Sequence, residues 1–110
     1  MEKDRIVELI AEELECKHEI SKWFITTLLE AVKRFDKKQD IFTTENIADT
    51  GEIGLHTRIS DRIAEIKKYL SVSEEKREEL MLTDEKITKD FLDIGIYGFI
   101  GYIYRKGNWK

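Results

Sequence analysis

The chain has 110 residues, 41% hydrophobic and 38% charged, and a formal net charge of −4. That balance excludes a disordered or fibrous chain and suits one folded domain. The acidic charge gives no general attraction to polyphosphate, so nucleic-acid binding is not expected.

The single cysteine, Cys16, can form neither an internal disulfide nor a cysteine zinc site. It reads as a reduced, half-buried thiol. The opening MEKDRIVELI is charged and lacks the form of a signal peptide. The most apolar run, Phe91 to Tyr104, is too short to span a bilayer. The expected setting is cytoplasmic, away from membranes.

Proline is absent, so long helices need no forced break. We expect one all-α domain over 1–110, a small bundle of about four helices. It divides into an N-terminal helical region (1–36), a connector (37–54) and the main helices (55–104). In the first region, Ile6, Leu9, Ile10 and Leu14 recur at helical spacing, as do Ile20, Phe24, Leu28, Ala31 and Phe35. The register is disturbed around Cys16 to Glu19, which fits either two helices or one kinked helix. Ser21 is a candidate cap, and Trp23 reads as core.

From Asp36 to Gly51 the composition is that of a connector. DKKQD is polar, Thr44 can cap a short turn, and Gly51 and Gly54 bracket Glu52. A second helix follows over Leu55 to Leu70, with Leu55, Ile59, Ile63, Ile66 and Leu70 as one apolar stripe. In SVSEEKREEL, Ser73 before Glu74 and Glu75 has the form of a short helix start, but the charge density favours a solvated connector. The last helix begins after Thr83, with Asp84 and Glu85 in its first turn, and runs to about Tyr104. Gly107 ends it. Arg105, Lys106 and Lys110 are too few to make a basic patch.

This last helix is apolar on every side from Phe91 onward, the pattern of a central helix. In a domain this small, its neighbours are expected to include a partner subunit, making the protein a homo-oligomer such as a homodimer. Gly95, Gly98 and Gly101 each cost about 1 kcal/mol against alanine, which close helix approach can offset. Asp90, Asp93, Tyr97 and Tyr104 share one face. A carboxylate buried there needs a partner. The second helix offers Arg58, Asp61, Arg62 and Glu65. One solution is an Arg58–Asp93 ion pair. Another brings Asp61 and Asp93 together with Glu52 or Asp90 around Mg²⁺, an ion that favours oxygen ligands and bridges nucleotide phosphates. Asp61 lies opposite its own helix's apolar stripe, as either a surface residue or part of a polar interior face. His18 and His56 lack zinc-ligand spacing.

ENIADTGEIGLHTRISDRIAEI, followed after a charged spacer by ITKDFLDIGIYGFIGY, resembles the nucleotide-modification-associated domain family of phages and bacteria. That family is similar to the all-α nucleotide pyrophosphohydrolases of the MazG and dimeric dUTPase type. The resemblance covers about Lys37 to Tyr104. It rests on Asn46-Ile47, Gly51-Glu52, Gly54-Leu55, Arg58, Asp61, Arg62 in place of the usual Lys, and Asp93 with Tyr97. The chain departs from the pattern at Asp40, which precedes Ile41-Phe42 rather than Tyr-Gly. It departs again at Glu65, where the family often has Arg, and at Lys89-Asp90, where an acidic residue is shifted.

The resemblance implies a MazG-like bundle and Mg²⁺-dependent nucleotide binding or nucleoside triphosphate pyrophosphohydrolysis. Glu52, Asp61 and Asp93 would be the catalytic carboxylates, and Asp61, Asp90 and Asp93 the metal ligands. Arg58, Arg62 and Tyr97 would hold the nucleotide. The incomplete carboxylate pattern leaves a second reading open. This is a non-catalytic binding protein, such as a small phage inhibitor of a host defence enzyme, acting by protein contact or nucleotide sequestration. An oligomerising bundle with ion-paired carboxylates is the third.

Overall fold

The computed structural model describes residues 3–42 and 44–109, all helix and connecting turns, with no strand among them. Lys110, grouped above with Arg105 and Lys106, lies outside the described residues. Five helices follow in order: α1 (Lys3–Glu13), α2 (Glu19–Lys38), α3 (Thr44–Ser71), α4 (Glu74–Glu79) and α5 (Asp84–Arg105). None among the described residues is long and apolar enough to cross a membrane. The chain forms two compact units, one ending at Ile41 and the other beginning at Phe42.

In the first unit, α1 packs on α2 through Val7, Ala11 and Ile25, with Ile10, Cys16 and Leu29 around them. The region is thus two helices. Its register breaks because Glu15 takes a left-handed conformation (φ 55°), and Cys16 N–H donates to Ala11 O at 2.9 Å. This arrangement closes a helix C-terminus by capping its last carbonyls. His18, not Ser21, precedes the first turn of α2, and it gives no side-chain cap. Cys16 is half-buried, as expected. Trp23 is not core: it is 68% exposed, beside Phe24 at 63%.

In the second unit, α3 and α5 run antiparallel, shown by contacts that descend along α5 as they ascend α3. Trp109 Nε1 donates to Thr44 O (2.8 Å), Arg105 pairs with Glu52 (2.9 Å), Arg62 with Asp93 (3.3 Å), and Tyr69 OH donates to Asp84 (3.3 Å). Leu55, Ile66, Ile87 and Ile100 are buried in this unit.

Two expectations are corrected here. Helix α3 begins at Thr44, inside the expected connector, because Ile47 is buried and Trp109 anchors the first turn. SVSEEKREEL contains the short helix α4, because Ser73 Oγ accepts from Lys76 N–H and Arg77 Nε donates to Tyr69 O at 2.7 Å. Thr83 caps α5 in the same way, accepting from Lys86 N–H, and Gly107 (φ 78°) ends it, as expected.

Helix α3 kinks at Gly51, whose φ of 62° and ψ of −154° are open to glycine alone. The expected result for Gly51→Ala is a loss of about 1–3 kcal/mol, read by urea unfolding, with helix content retained in the rest of the chain. Unchanged stability would show that the kink is not needed.

Candidate functional site

The predicted apolar stripe of α3 does not all turn inward. Leu55 and Ile66 are buried, but Ile63 is 52% exposed and Leu70 70%. The helix is instead rotated so that Arg58, Arg62 and Glu65 meet the polar face of α5. That face carries Lys86, Asp90, Asp93 and Tyr97, one helical turn apart in sequence. The seam between the helices is therefore polar along its centre.

Asp93 is 5% exposed, and its Oδ2 accepts from Arg62 Nε at 3.3 Å. The buried carboxylate thus pairs with Arg62, where one expectation had Arg58. Arg62 is fixed twice more. Its Nη1 donates to Arg58 O at 3.0 Å, and its guanidinium lies 4.8 Å from the centre of the Tyr97 ring. Arg58 stacks on the same ring at 5.9 Å. Among the described residues it makes one hydrogen bond, from Nη1 to Thr50 Oγ1 at 3.4 Å.

That contact accounts for the glycine at position 54. Thr50 lies across Gly54, where a Cβ would collide with the Thr50 side chain. Thr50 Oγ1 also shares its proton between Asn46 O and Ile47 O, at 3.3 and 3.4 Å. Its remaining lone pair faces Arg58. The kink at Gly51 and the bare backbone of Gly54 together bring Thr50 to that guanidinium.

Asp90 is also buried, at 7% exposure, and its Oδ2 meets no donor. Its pKa is raised to about 6, first by burial and then by the neighbouring Glu65 carboxyl. The hydrogen bond from Asp90 lowers Glu65 below the usual carboxylate range, aided by Lys86, whose Nζ is 3.3 Å from Glu65 Oε2. Below pH about 6 Asp90 is the protonated member of the pair, while Glu65 carries the charge that Lys86 balances.

The structure thus gathers five of the predicted residues, Arg58, Arg62, Asp93 and Tyr97, with Asp90 beside them. It places Glu52 at the far end of the seam, paired with Arg105, and leaves Asp61 exposed. Among the described residues, no three His, Cys, Asp or Glu side chains are grouped so as to hold a metal ion. As placed, the side chains do not make a metal cage of their own. Glu65, Lys86 and Thr50 were not among the predicted site residues. Spacing alone could have found them: Glu65 is three residues from Arg62, Lys86 four from Asp90, and Thr50 eight from Arg58 across Gly54.

No family model, curated protein or solved structure matches the chain.

Proposed function

We propose that the second unit is a nucleotide-binding module that takes the phosphate at Arg58. The observation that carries this reading is the contrast between the two arginines stacked on Tyr97. Arg62 is committed to Asp93 and to the backbone, whereas among the described residues Arg58 has one long hydrogen bond and N–H donors to spare. A guanidinium over an aromatic ring with donors to spare suits bidentate phosphate recognition. Arg62 and Asp93 act as the rigid support for that ring. The resemblance of ENIADTGEIGLHTRISDRIAEI and ITKDFLDIGIYGFIGY to the nucleotide-modification-associated domain family supports the same ligand class.

Magnesium enters this proposal as the counterion of the phosphates, with exposed Asp61 as the available carboxylate on the same helix. The test is calorimetric titration with nucleoside mono-, di- and triphosphates, with and without Mg²⁺. Arg58→Ala is expected to weaken binding about 10- to 100-fold, the worth of one or two charge-assisted hydrogen bonds. Equal binding by the variant, or none by the natural chain, rejects the reading. Pyrophosphate release from a triphosphate, lost in Asp93→Asn, would extend binding to catalysis.

A second reading is non-catalytic binding of a protein partner, favoured by the exposure of Ile20 (73%), Trp23 and Phe24 on α2. It predicts that partner capture fails with Trp23→Asp and tolerates Arg58→Ala.

A further inference from the structure

Helix α3 is two helical bodies joined at Gly51. The φ of 62° and ψ of −154° there interrupt the helix and leave an arm over residues 44–50. So short an arm falls well under the roughly 12 residues that an isolated helix needs in water. The arm therefore depends on what it touches. Ile47 is buried at 7% exposure, and Thr44 O accepts from Trp109 Nε1 at 2.8 Å. Trp109 reaches that carbonyl because the chain reverses at Gly107 (φ 78°), where Asn108 N–H donates to Ile103 O at 3.1 Å. Just past the joint, Arg105 pairs with Glu52 at 2.9 Å. The C-terminal end of the chain thus straps α3 on both sides of Gly51.

The far end of the arm carries Thr50, roughly 9 Å from Thr44 at 1.5 Å per residue. Thr50 Oγ1 accepts from Arg58 Nη1 at 3.4 Å, over a Gly54 whose Cβ would collide with it. The Thr50 proton is already given to Asn46 O or Ile47 O, so its oxygen faces Arg58 as an acceptor.

We propose that the arm and its strap regulate the phosphate site, with Trp109 and Thr50 as positioning residues for Arg58. Trp109 seats the arm, the arm places the Thr50 hydroxyl, and that hydroxyl limits where the guanidinium can point. An arginine side chain loses much rotamer freedom when it grips a ligand. Restraint in the free chain removes part of that loss from the binding step. Release of Trp109 from Thr44 loosens the arm and weakens the hold on an anion. The effect on affinity rests on phosphate binding at Arg58, whereas the restraint of Arg58 in the free chain does not.

The experiment uses the full chain and two readouts. One is the order of the Arg58 Nε–H group without ligand, by nuclear magnetic resonance relaxation. The other is calorimetric titration with ATP and Mg²⁺. Thr50→Val, an isostere lacking the hydroxyl, should loosen Arg58 and weaken ATP binding about 2- to 10-fold, the worth of one side chain immobilised beforehand. Thr50→Ser keeps the hydroxyl and should retain both properties. Trp109→Phe removes the N–H donor, keeps an aromatic ring, and should reproduce the Thr50→Val result. The double variant Thr50→Val with Trp109→Phe should be no weaker than the weaker single one, because both act through one contact. Loss of helix by circular dichroism in Trp109→Phe would show that the arm needs that bond, and Thr50→Val then carries the test at Arg58. An Arg58 Nε–H as ordered in Thr50→Val as in the natural chain overturns the proposal, whether or not ATP binds. So do losses that add in the double variant. Loosening of Arg58 in a chain that does not bind ATP supports the positioning and rejects the phosphate reading instead.

Discussion

Arg62→Met is expected to destabilise the second unit by about 3 kcal/mol, the lower end of the cost of breaking a buried ion pair. The size follows from what is left behind. Asp93 is 5% exposed, and the change removes the Nε donor at 3.3 Å from a carboxylate that solvent hardly reaches. Arg62 itself is partly solvated, with a side-chain exposure of 26%, which keeps the expected loss at the low end. Adding Asp93→Leu to Arg62→Met should restore most of the stability, since a matched apolar pair replaces a matched ionic one. Chemical unfolding of the two singles and the double closes the cycle. Strictly additive losses would show that the pair is not a unit.

The carboxyl pair gives the second large effect, and its sign is unusual for acidic residues. The Asp90 pKa is raised to about 6 in the fold. Its favourable contribution is therefore complete below the ordinary carboxylate pKa and is lost as pH rises through about 6. Glu65 is shifted the other way, so its contribution is present above the ordinary carboxylate range and is lost as pH falls. The groups facing the pair are Lys86 and Arg62, which favour the ionised forms, and Asp93, which opposes ionisation of Asp90. The second unit should thus be most stable at mildly acid pH, between the ordinary carboxylate range and about 6. Asp90→Asn keeps a donor toward Glu65 and removes the second charge. It should stabilise the chain at neutral pH on the order of 1–2 kcal/mol, a gain that vanishes toward acid. Thermal unfolding of both chains across that pH range reads the difference. A variant less stable than the natural chain at neutral pH would contradict the cost of a second charge on this pair.

Much of this fold is legible in the residues. Thr83 with Asp84 and Glu85 marks the start of α5, and Gly107 its end, because capping and left-handed backbone are local properties. The Ser73 cap of α4 was equally visible, but the charge density around it argued for a connector. Arg77 settled the matter through a contact with Tyr69 that sequence spacing does not disclose. The start of α3 was hidden for a different reason. Residues 44–50 have the composition of a turn, and they are helical because Ile47 is buried and Trp109 reaches Thr44 from the far end of the chain.

The site was half legible. The shared face of Asp90, Asp93 and Tyr97 followed from helical periodicity, as did the need for a partner. Which arginine answers Asp93 did not follow, since Arg58 and Arg62 are about one turn apart and both touch Tyr97. The choice depends on the rotation of α3, and its apolar stripe pointed to a different rotation. A helix meeting a polar face turns its own polar residues inward and leaves Ile63 and Leu70 outside.

The most direct measurement is the response of the arginine Nε–H signals to a nucleoside triphosphate in nuclear magnetic resonance. The Arg58 signal is expected to move with ligand, while the Arg62 signal, held on Asp93, keeps its position. Movement of Arg62 with Arg58 unchanged, or no movement of either at saturating nucleotide, would contradict a phosphate site built on the free guanidinium.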